Sequence, residues 1–264
     1  AETGRFACVG FNRRMAPAYR MAKRVVAGDG GPKNIHYRIS DEYWSWGKNM
    51  PPGVRVIHEV CHIFDILRWF TDSDPTSIYT VAARPDDEIF VLTFASGAVA
   101  SIMSSGYVTM DMPKERIELV SELGSVAVEE MVECRTYGFP QHQHVYRFAG
   151  HSHPDADSTH KYLLGAQGRE ALESIRRMGW ELRERAKQPH GESLDGVELD
   201  TVLRRAPTWN YMVDKGWLSA VDHFAECVAH GTRPELAQAE DGLWSARMSA
   251  AAIESRESGS VVRF

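Results

Sequence analysis

The chain has 264 residues, of which 43% are hydrophobic and 25% are charged, and its formal net charge is −6. This composition is typical of a globular protein with a sizeable core and excludes a disordered chain. A mildly acidic chain does not suit general binding to nucleic acid or to a membrane surface. The sequence also lacks a run of about 20 apolar residues, so we expect no transmembrane helix.

The cysteines indicate a reducing compartment. Cys8, Cys61, Cys134 and Cys227 are far apart and form no Cys-x-x-Cys pair, which argues against a disulfide scaffold and against a zinc ribbon. Residues 1–10 carry no long apolar stretch of the kind found in signal peptides. We therefore expect a cytoplasmic location.

Helix and strand patterns alternate in the first quarter of the chain. The spacing of apolar residues predicts a helix over 13–27, which ends at the glycine-rich turn 28–32. A short strand follows over 35–39, and a loop rich in Trp, Pro and Gly over 41–53. Apolar residues at helical spacing then predict a buried helix over 56–70.

The most strand-like region comes next. A strand is predicted over 77–83, and two hairpins follow, 88–94 with 98–104 and 116–121 with 125–130. Consecutive hairpins favour a largely antiparallel sheet. The strand 88–94 has apolar residues on both faces, which places it inside the sheet.

The second half of the chain combines polar loops with helices. Residues 138–208 have too few apolar residues for a core of their own, so we interpret them as a helical insertion into a single domain that spans residues 1–264. The pattern predicts loops over 138–157 and 188–207, helices over 167–187, 214–229 and 239–257, and a strand over 261–264.

The segment from His58 to His62 matches the pattern His-Glu-x-x-His. On a helix the two histidines lie one turn apart, and Asp65 lies within about 60° of them. In one interpretation they bind zinc and Glu59 is the general base of a hydrolase or lyase. The third ligand is then missing, because the metzincin spacing reaches Arg68; Asp86, Asp87 or Glu88 would have to replace it.

Two other interpretations of this segment stay open. In the first, His62 transfers a proton and a neighbouring carboxylate supports it. In the second, the helix is structural and its histidines have ordinary packing and hydrogen bonds.

A dinucleotide cradle is not apparent in the sequence. The cluster from Gly28 to Gly31 has Lys33 where the third glycine of Gly-x-Gly-x-x-Gly belongs, and it follows a predicted helix. A strict alternation of strands and helices is also missing. We therefore expect no Rossmann domain within these residues.

Five blocks resemble, in the same order, segments of the C-terminal domain of the Gfo/Idh/MocA oxidoreductases, the family of glucose-fructose oxidoreductase and inositol dehydrogenase. They are VGFNRRMAP at 9–17, GVRVIHEVCHIFD at 53–65, FASG at 94–97, PKERIEL at 113–119 and DKGW at 214–217. The resemblance covers residues 9–137 and 208–264, whereas 138–208 has no counterpart.

The resemblance implies an α+β fold like the C-terminal domain of dihydrodipicolinate reductase. A large, mostly antiparallel open sheet would carry helices on one face, and its open face would mediate a homo-oligomer. The activity implied is NAD- or NADP-dependent hydride transfer at a secondary hydroxyl of a sugar or polyol. His62 would be the acid/base, tuned by Glu59, His58 and Asp65. The cofactor would be held by a Rossmann domain that is missing here or belongs to a partner chain.

Several further residues are candidates for binding. Tyr43 and Trp44 can stack on a sugar face or belong to the core. Lys215, in the DKGW block, can bind substrate or simply begin a helix. Arg13 and Arg14 can contact the cofactor or an anionic substrate, or lie on a helix face.

Two alternatives to a sugar oxidoreductase remain. One is a non-catalytic sugar-binding or assembly module, and the other is the zinc enzyme described above. A loop with five histidines is a weaker candidate for a metal site, since a solvated loop explains it equally well; these are His142, His144, His151, His153 and His160.

Overall fold

The structure is a computed structural model, which describes residues 6–47, 49–150, 158–186 and 213–264. Within these residues nine strands form one sheet in the order β8-β7-β6-β5-β1-β4-β3-β2-β9. The strands are β1 (Asn34–Ser40), β2 (Pro75–Arg84), β3 (Asp87–Phe94), β4 (Val99–Ser105), β5 (Glu115–Val120), β6 (Ser125–Glu129), β7 (Glu133–Tyr137), β8 (Val145–Arg147) and β9 (Val262–Arg263). Strand β1 pairs in parallel with β4, and the other described pairs are antiparallel.

The helices complete a mixed architecture, which confirms the predicted α+β class. They are α1 (Pro17–Ala27), α2 (Tyr43–Trp46), α3 (Cys61–Thr71), α4 (Ser158–Gln167), α5 (Arg169–Ala186), α6 (Trp217–His230) and α7 (Ala239–Ser258), with a 3₁₀-helix at Asn12–Met15 and a π-helix at Val56–Val60. The part of the chain described here contains no helix long and apolar enough to cross a membrane.

The core lies between the sheet and three of these helices. Helices α1, α3 and α7 share one buried cluster with the inward side chains of the sheet. Phe64 of α3, for example, meets Phe90 of β3 edge-to-face at 5.6 Å between ring centroids. Because side chains alternate along a strand, Leu92 and Phe94 are buried on the same face as Phe90.

The opposite face of the central strands is apolar and open to solvent. Strand β3 lies between β4 and β2, as predicted. Its outward residues Ile89 and Val91 are nevertheless 47% and 44% exposed. Exposed apolar neighbours on β2 and β4 extend this outward face, namely Tyr79, Val81 and Val99.

Two predicted helix starts are wrong for local reasons. The helix predicted over 13–27 is divided at Ala16, because Pro17 has no N–H and a fixed φ that suits the first position of a new helix. The helix predicted to begin at Asp214 begins at Trp217. Gly216 there has a φ of 81°, and the Asp214 carboxylate accepts the Gly216 N–H at 2.9 Å.

The insertion region also differs in detail from the prediction. Strand β8 lies inside the segment 138–157 that was predicted to be a loop. The helix predicted over 167–187 begins at Arg169, because Gly168 separates α4 from α5 with a φ of 59°. The predicted loop 188–207 lies outside the described residues. The single domain over 1–264 and the insertion at 138–208 remain predictions.

The one-sided burial of β3 can be tested with two neighbouring residues. We expect Phe90→Ala to lower the free energy of unfolding by about 3–5 kcal/mol, because it leaves a cavity under α3. Ile89→Ala removes a side chain of the open face, and we expect a loss below about 1 kcal/mol. Urea unfolding of both variants measures this difference, and equal losses would contradict it.

Candidate active site

His62 lies in the first turn of α3 and is mostly buried. Its ring packs edge-to-face against Phe11, with 5.2 Å between the ring centroids. Its Nδ1 is buried without a hydrogen-bond partner among the described residues. Burial, and then the positive charge of Arg13, lower the pKa of His62 to about 4. The imidazole is therefore neutral at physiological pH and can accept a proton.

The segment that carries His58 and Glu59 is a π-helix, not the α-helix that was predicted. Its hydrogen bonds run from i to i+5, so the segment departs from the regular α-helix on which the zinc interpretation of the His-Glu-x-x-His pattern is built. His58 is exposed and meets the edge of the Tyr43 ring at 6.4 Å between centroids. His58 is therefore open to solvent, whereas His62 is mostly buried.

The zinc interpretation does not fit this arrangement. The described residues contain no group of three or more His, Cys, Asp or Glu side chains that could hold a metal ion. The candidates for a third ligand have other partners. Asp86 accepts the backbone N–H groups of Gly53 at 2.8 Å and of Arg55 at 3.0 Å, and Glu88 pairs with Arg256.

Glu59 points into a cluster of charges beside His62. Its Oε1 lies 2.9 Å from Arg13 Nη2 and 3.4 Å from Lys114 Nζ. Burial alone would raise the pKa of Glu59, but Lys114 and Arg13 lower it to about 2. Glu59 is thus a permanently ionised carboxylate, which stabilises positive charge and does not exchange protons near neutral pH.

Glu115 holds the centre of this cluster. Its carboxylate accepts hydrogen bonds from Arg13 Nε at 2.9 Å and Nη2 at 2.8 Å, and from the Tyr37 hydroxyl at 2.8 Å. Lys215 Nζ lies 3.1 Å from the same carboxylate. We call Arg13, Glu59, Lys114, Glu115 and Lys215 the central ion cluster.

The predicted substrate residue Lys215 is buried in this cluster. Burial lowers the pKa of its ammonium group, while Glu115 opposes that effect and Lys114 and Arg13 reinforce it. Lys114 and Glu115 themselves had no predicted role. The PKERIEL block was the only signal for them, and it carried no indication that its first two charged residues lie beside His62.

Asp65 belongs to a different ion network. Arg14 donates from Nε at 2.9 Å and from Nη2 at 2.6 Å to its two carboxylate oxygens. Arg14 also lies 2.9 Å from Asp241, which in turn pairs with Arg68. The polar stripe predicted for Asp65 and His62 is therefore divided between two networks.

The two arginines predicted to contact the cofactor bind carboxylates of this chain. Arg13 joins Glu115 to Glu59, and Arg14 joins Asp65 to Asp241. The structure therefore shows a structural role for both arginines. A contact with a cofactor remains a prediction.

The predicted stacking residues lie at the edge of the site. Tyr43 is buried beside His58. Trp44 is half-exposed, and its indole N–H donates to the carbonyl oxygen of Val108 at 3.0 Å. Stacking on a sugar remains a prediction for both.

Only part of the histidine-rich loop falls within the described residues. His142 Nδ1 lies 3.3 Å from the Tyr146 hydroxyl, and His144 Nδ1 lies 2.9 Å from the Thr136 carbonyl oxygen. His151 and His153 lie outside the described residues, and the side chain of His160 is not described.

Comparison with known proteins identifies the domain. The sequence profile of the GFO/IDH/MocA C-terminal domain matches residues 24–127. Within these residues the chain carries a GFO/IDH/MocA C-terminal domain. No curated protein gives a significant match to the sequence.

Solved structures share the fold of this GFO/IDH/MocA domain over nearly the whole chain. An oxidoreductase from Agrobacterium radiobacter, in complex with NAD+, L-tartaric acid and magnesium, matches 98% of the chain at 14% identity and a TM-score of 0.64. The WlbA dehydrogenase from Bordetella pertussis, in complex with NADH and UDP-GlcNAcA, matches 98% at 17% identity and a TM-score of 0.60. Myo-inositol 2-dehydrogenase from Lactobacillus plantarum matches 97% at 17% identity and a TM-score of 0.58.

The chain is shorter than these proteins. It covers 65% of the Agrobacterium chain and 64% of each of the other two. Because the sequence identities are low, the likeness to these structures shows only the fold. The profile match begins at residue 24, so the resemblance of 9–17 and of 208–264 rests on the sequence blocks.

The low pKa of His62 has a consequence for stability. As pH falls from about 6.5 towards about 4, the unfolded chain takes up a proton at His62 that the folded chain does not. We expect this proton uptake to lower the free energy of unfolding by about 2 kcal/mol across that range. The His62→Asn variant lacks this contribution, so its stability should fall less on acidification.

Urea unfolding at about pH 7 and about pH 4.5 measures this difference. His58→Asn is the matched control, because His58 is exposed. A wild-type chain and a His62→Asn variant with the same pH dependence would contradict the buried, neutral state of His62.

Proposed function

We propose that this chain is the substrate-binding and catalytic half of an NAD- or NADP-dependent sugar or polyol oxidoreductase. The observation that carries this proposal is the neutral, buried imidazole of His62 beside the central ion cluster, in a GFO/IDH/MocA C-terminal domain. A neutral imidazole whose Nδ1 has no hydrogen-bond partner among the described residues suits the removal of a hydroxyl proton.

The reaction divides into a proton and a hydride. His62 would take the proton of the substrate hydroxyl as the carbonyl forms. A nicotinamide held by another domain would supply the acceptor for the hydride that leaves the carbon bearing that hydroxyl. The imidazolium that forms is stabilised by the ionised Glu59 and Glu115 and disfavoured by Arg13 and Lys215. Burial and Arg13 outweigh the two carboxylates, so the protonated imidazole readily releases its proton after the transfer.

The described residues do not fit a dinucleotide. The glycine-rich turn after α1 leads into β1, which is the reverse of the strand–turn–helix order that places a pyrophosphate at a helix N-terminus. We therefore propose that a Rossmann domain outside these 264 residues, in the same polypeptide or in a partner chain, holds the cofactor.

Helix α6 supports a docking position for that cofactor half. Three apolar side chains of this helix are not buried, since Leu218, Val221 and Val228 are all more than half exposed. An apolar groove of about 330 Å³ runs between α6 and the segment 8–12. Phe11 lines this groove and also touches His62, so a domain docked there would adjoin the proposed acid/base.

The acid/base role can be tested with a pair of histidine variants. In the natural polypeptide with NAD+ or NADP+ and a panel of sugars, polyols and their acid derivatives, we expect His62→Asn to lower kcat by about 100-fold or more, because a positioned base is lost. The matched variant His58→Asn should retain kcat within about threefold, since His58 lies outside the ion cluster. Reduced nicotinamide absorbance reports the rate.

The outcomes separate the alternatives for this chain. Equal activity of the two variants would contradict the role of His62. A natural polypeptide that binds a sugar but oxidises no member of the panel would favour the non-catalytic sugar-binding module.

We also propose that the open face of the sheet mediates a homo-oligomer. The exposed apolar side chains on β2, β3 and β4 support this, because contiguous apolar patches on soluble proteins mark interaction sites. A charge in the middle of such an interface is costly when it is buried. We expect Val91→Asp to convert the oligomer into smaller species, whereas Leu123→Asp, at a highly exposed turn, should not.

Sedimentation velocity of the wild type and the two variants measures this. A monomeric wild type, or an oligomer that Val91→Asp leaves intact, would contradict an interface on this face.

A further inference from the structure

Helix α5, in the insertion region, directs two arginines towards the active site. Leu172 and Ile175 are buried in a small apolar cluster with Val132. Arg176 and Arg183 are seven residues apart, which is two turns, so they share one side of the helix. Arg176 contacts Met110, in the segment between β4 and β5, and Arg183 contacts Glu42.

Arg176 holds a buried carboxylate with both arms of its guanidinium. It donates from Nε to Glu130 Oε2 at 2.7 Å and from Nη2 to Oε1 at 2.9 Å. Glu130 Oε1 also accepts the backbone N–H of Lys114 at 2.5 Å and of Glu115 at 3.2 Å. One carboxylate therefore connects α5 to the backbone of two members of the central ion cluster.

Glu130 adopts an unusual backbone conformation to make these contacts. Its φ is 51°, and that of Met131 is 61°, in the left-handed region that side chains disfavour. Such conformations persist where surrounding contacts stabilise them. The fork with Arg176 and the two backbone N–H groups are such contacts.

The same helix also fixes the loop that precedes Lys114. The backbone of Met110 is held at both ends, because its N–H donates to Glu42 Oε1 at 3.0 Å and its carbonyl oxygen accepts from Arg176 Nη1 at 3.3 Å. Arg183 donates to the other oxygen of Glu42 at 2.8 Å. Glu42 directly precedes Tyr43, so α5 orders both segments that flank the ion cluster.

We propose that α5 is a positioning element of the active site and that Arg176 is its principal positioning residue, acting through Glu130 on Lys114 and Glu115. The proposal rests on the proposed function, since the cluster is taken to serve catalysis at His62. If Arg176 is lost, Glu130 keeps a buried charge without its fork, and the Lys114–Glu115 backbone loses its anchor. Lys114 Nζ and the Glu115 carboxylate then no longer hold Glu59 and Arg13 in place.

The imidazole of His62 reports on this positioning. Charged groups face it from four segments: Arg13 on the 3₁₀-helix, Glu59 on the π-helix, Glu115 on β5, and Lys215 before α6. Phe11 covers its ring. A displaced cluster admits water to the site and moves Arg13, and both changes raise the pKa of His62 towards its ordinary value. Displacement of Glu59 and Glu115 acts in the opposite direction, but burial and Arg13 are the larger causes.

The experiment compares two arginines on the same helix. Arg176 is buried, whereas Arg177 is exposed and pairs with Glu181 and Asp111. In an NMR titration of the histidine rings, with the His62 signal assigned by its loss in His62→Asn, we expect Arg176→Ala to raise the pKa of His62 by about one unit. We expect Arg177→Ala to change it by less than about 0.3 unit. In the active polypeptide, Arg176→Ala should lower kcat about tenfold with a smaller change in KM.

A conservative variant keeps the test valid if Arg176→Ala does not fold. Arg176→Lys preserves the charge but not the two-armed contact, so it should shift the His62 titration in the same direction and by less. A His62 titration that is the same in Arg176→Lys, Arg176→Ala and Arg177→Ala would overturn the proposal.

The titration of the His62 ring can be measured without enzyme activity. The catalytic role of His62 and the positioning role of α5 can therefore be contradicted independently. Activity that needs His62, together with an unchanged titration in the Arg176 variants, would keep the proposed function and reject the role of α5. A shifted titration in a chain without activity would keep the role of α5 and reject the function.

Discussion

The burial of the Glu115 carboxylate is the constraint on which the site depends. A carboxylate removed from water is stable only when cations and donors surround it, and removal of one partner of a buried pair costs about 3–5 kcal/mol. Arg13, Lys215 and the Tyr37 hydroxyl supply these partners from the 3₁₀-helix, the segment before α6, and β1. Their contacts with Glu115 join parts of the chain that lie 78 to 102 residues apart in the sequence. These contacts hold the 3₁₀-helix, β1, β5 and the segment before α6 together beside His62.

The same charges decide the state of His62. An imidazole beside a carboxylate alone would gain a proton, as the sequence pattern of Glu59 and His62 suggests. In the structure Arg13 and Lys114 form ion pairs with Glu59. Burial of the imidazole and the positive charge of Arg13 then outweigh the effect of Glu59, and the pKa of His62 falls. Glu59 therefore influences His62 both directly and through the positions in which it holds Arg13 and Lys114. This explains why a residue that lies next to a glutamate in a site rich in acids remains a neutral base.

The sequence predicts the elements with strong periodicity and misses the contacts between distant residues. The β3–β4 hairpin, helix α3 and helix α5 follow from local patterns, and the ordered blocks identify the domain. The π-helix at Val56–Val60 escapes prediction because the spacing of His58 and His62 is the same in either kind of helix. Asp65 lies on the predicted stripe, but Arg14, 51 residues earlier, determines its partner. The roles of Lys114 and Glu115 depend on tertiary contacts of this kind, for which a single sequence contains no local signal.

Outside the apolar core, this chain buries several charges and exposes several apolar side chains. Charged side chains form networks in the interior, whereas apolar side chains of β2, β3 and α6 face the solvent. Burial of apolar area stabilises a fold by about 25 cal/mol for each Å², and the isolated chain lacks this contribution from its exposed apolar faces. Its buried ions contribute little net stability. Both features become favourable when other surfaces cover the apolar faces, because burial of α6 and of the open sheet would then offset the desolvation of the ions. If the apolar faces are covered as proposed, the stability of the ion cluster, and with it the neutral state of His62, is coupled to assembly.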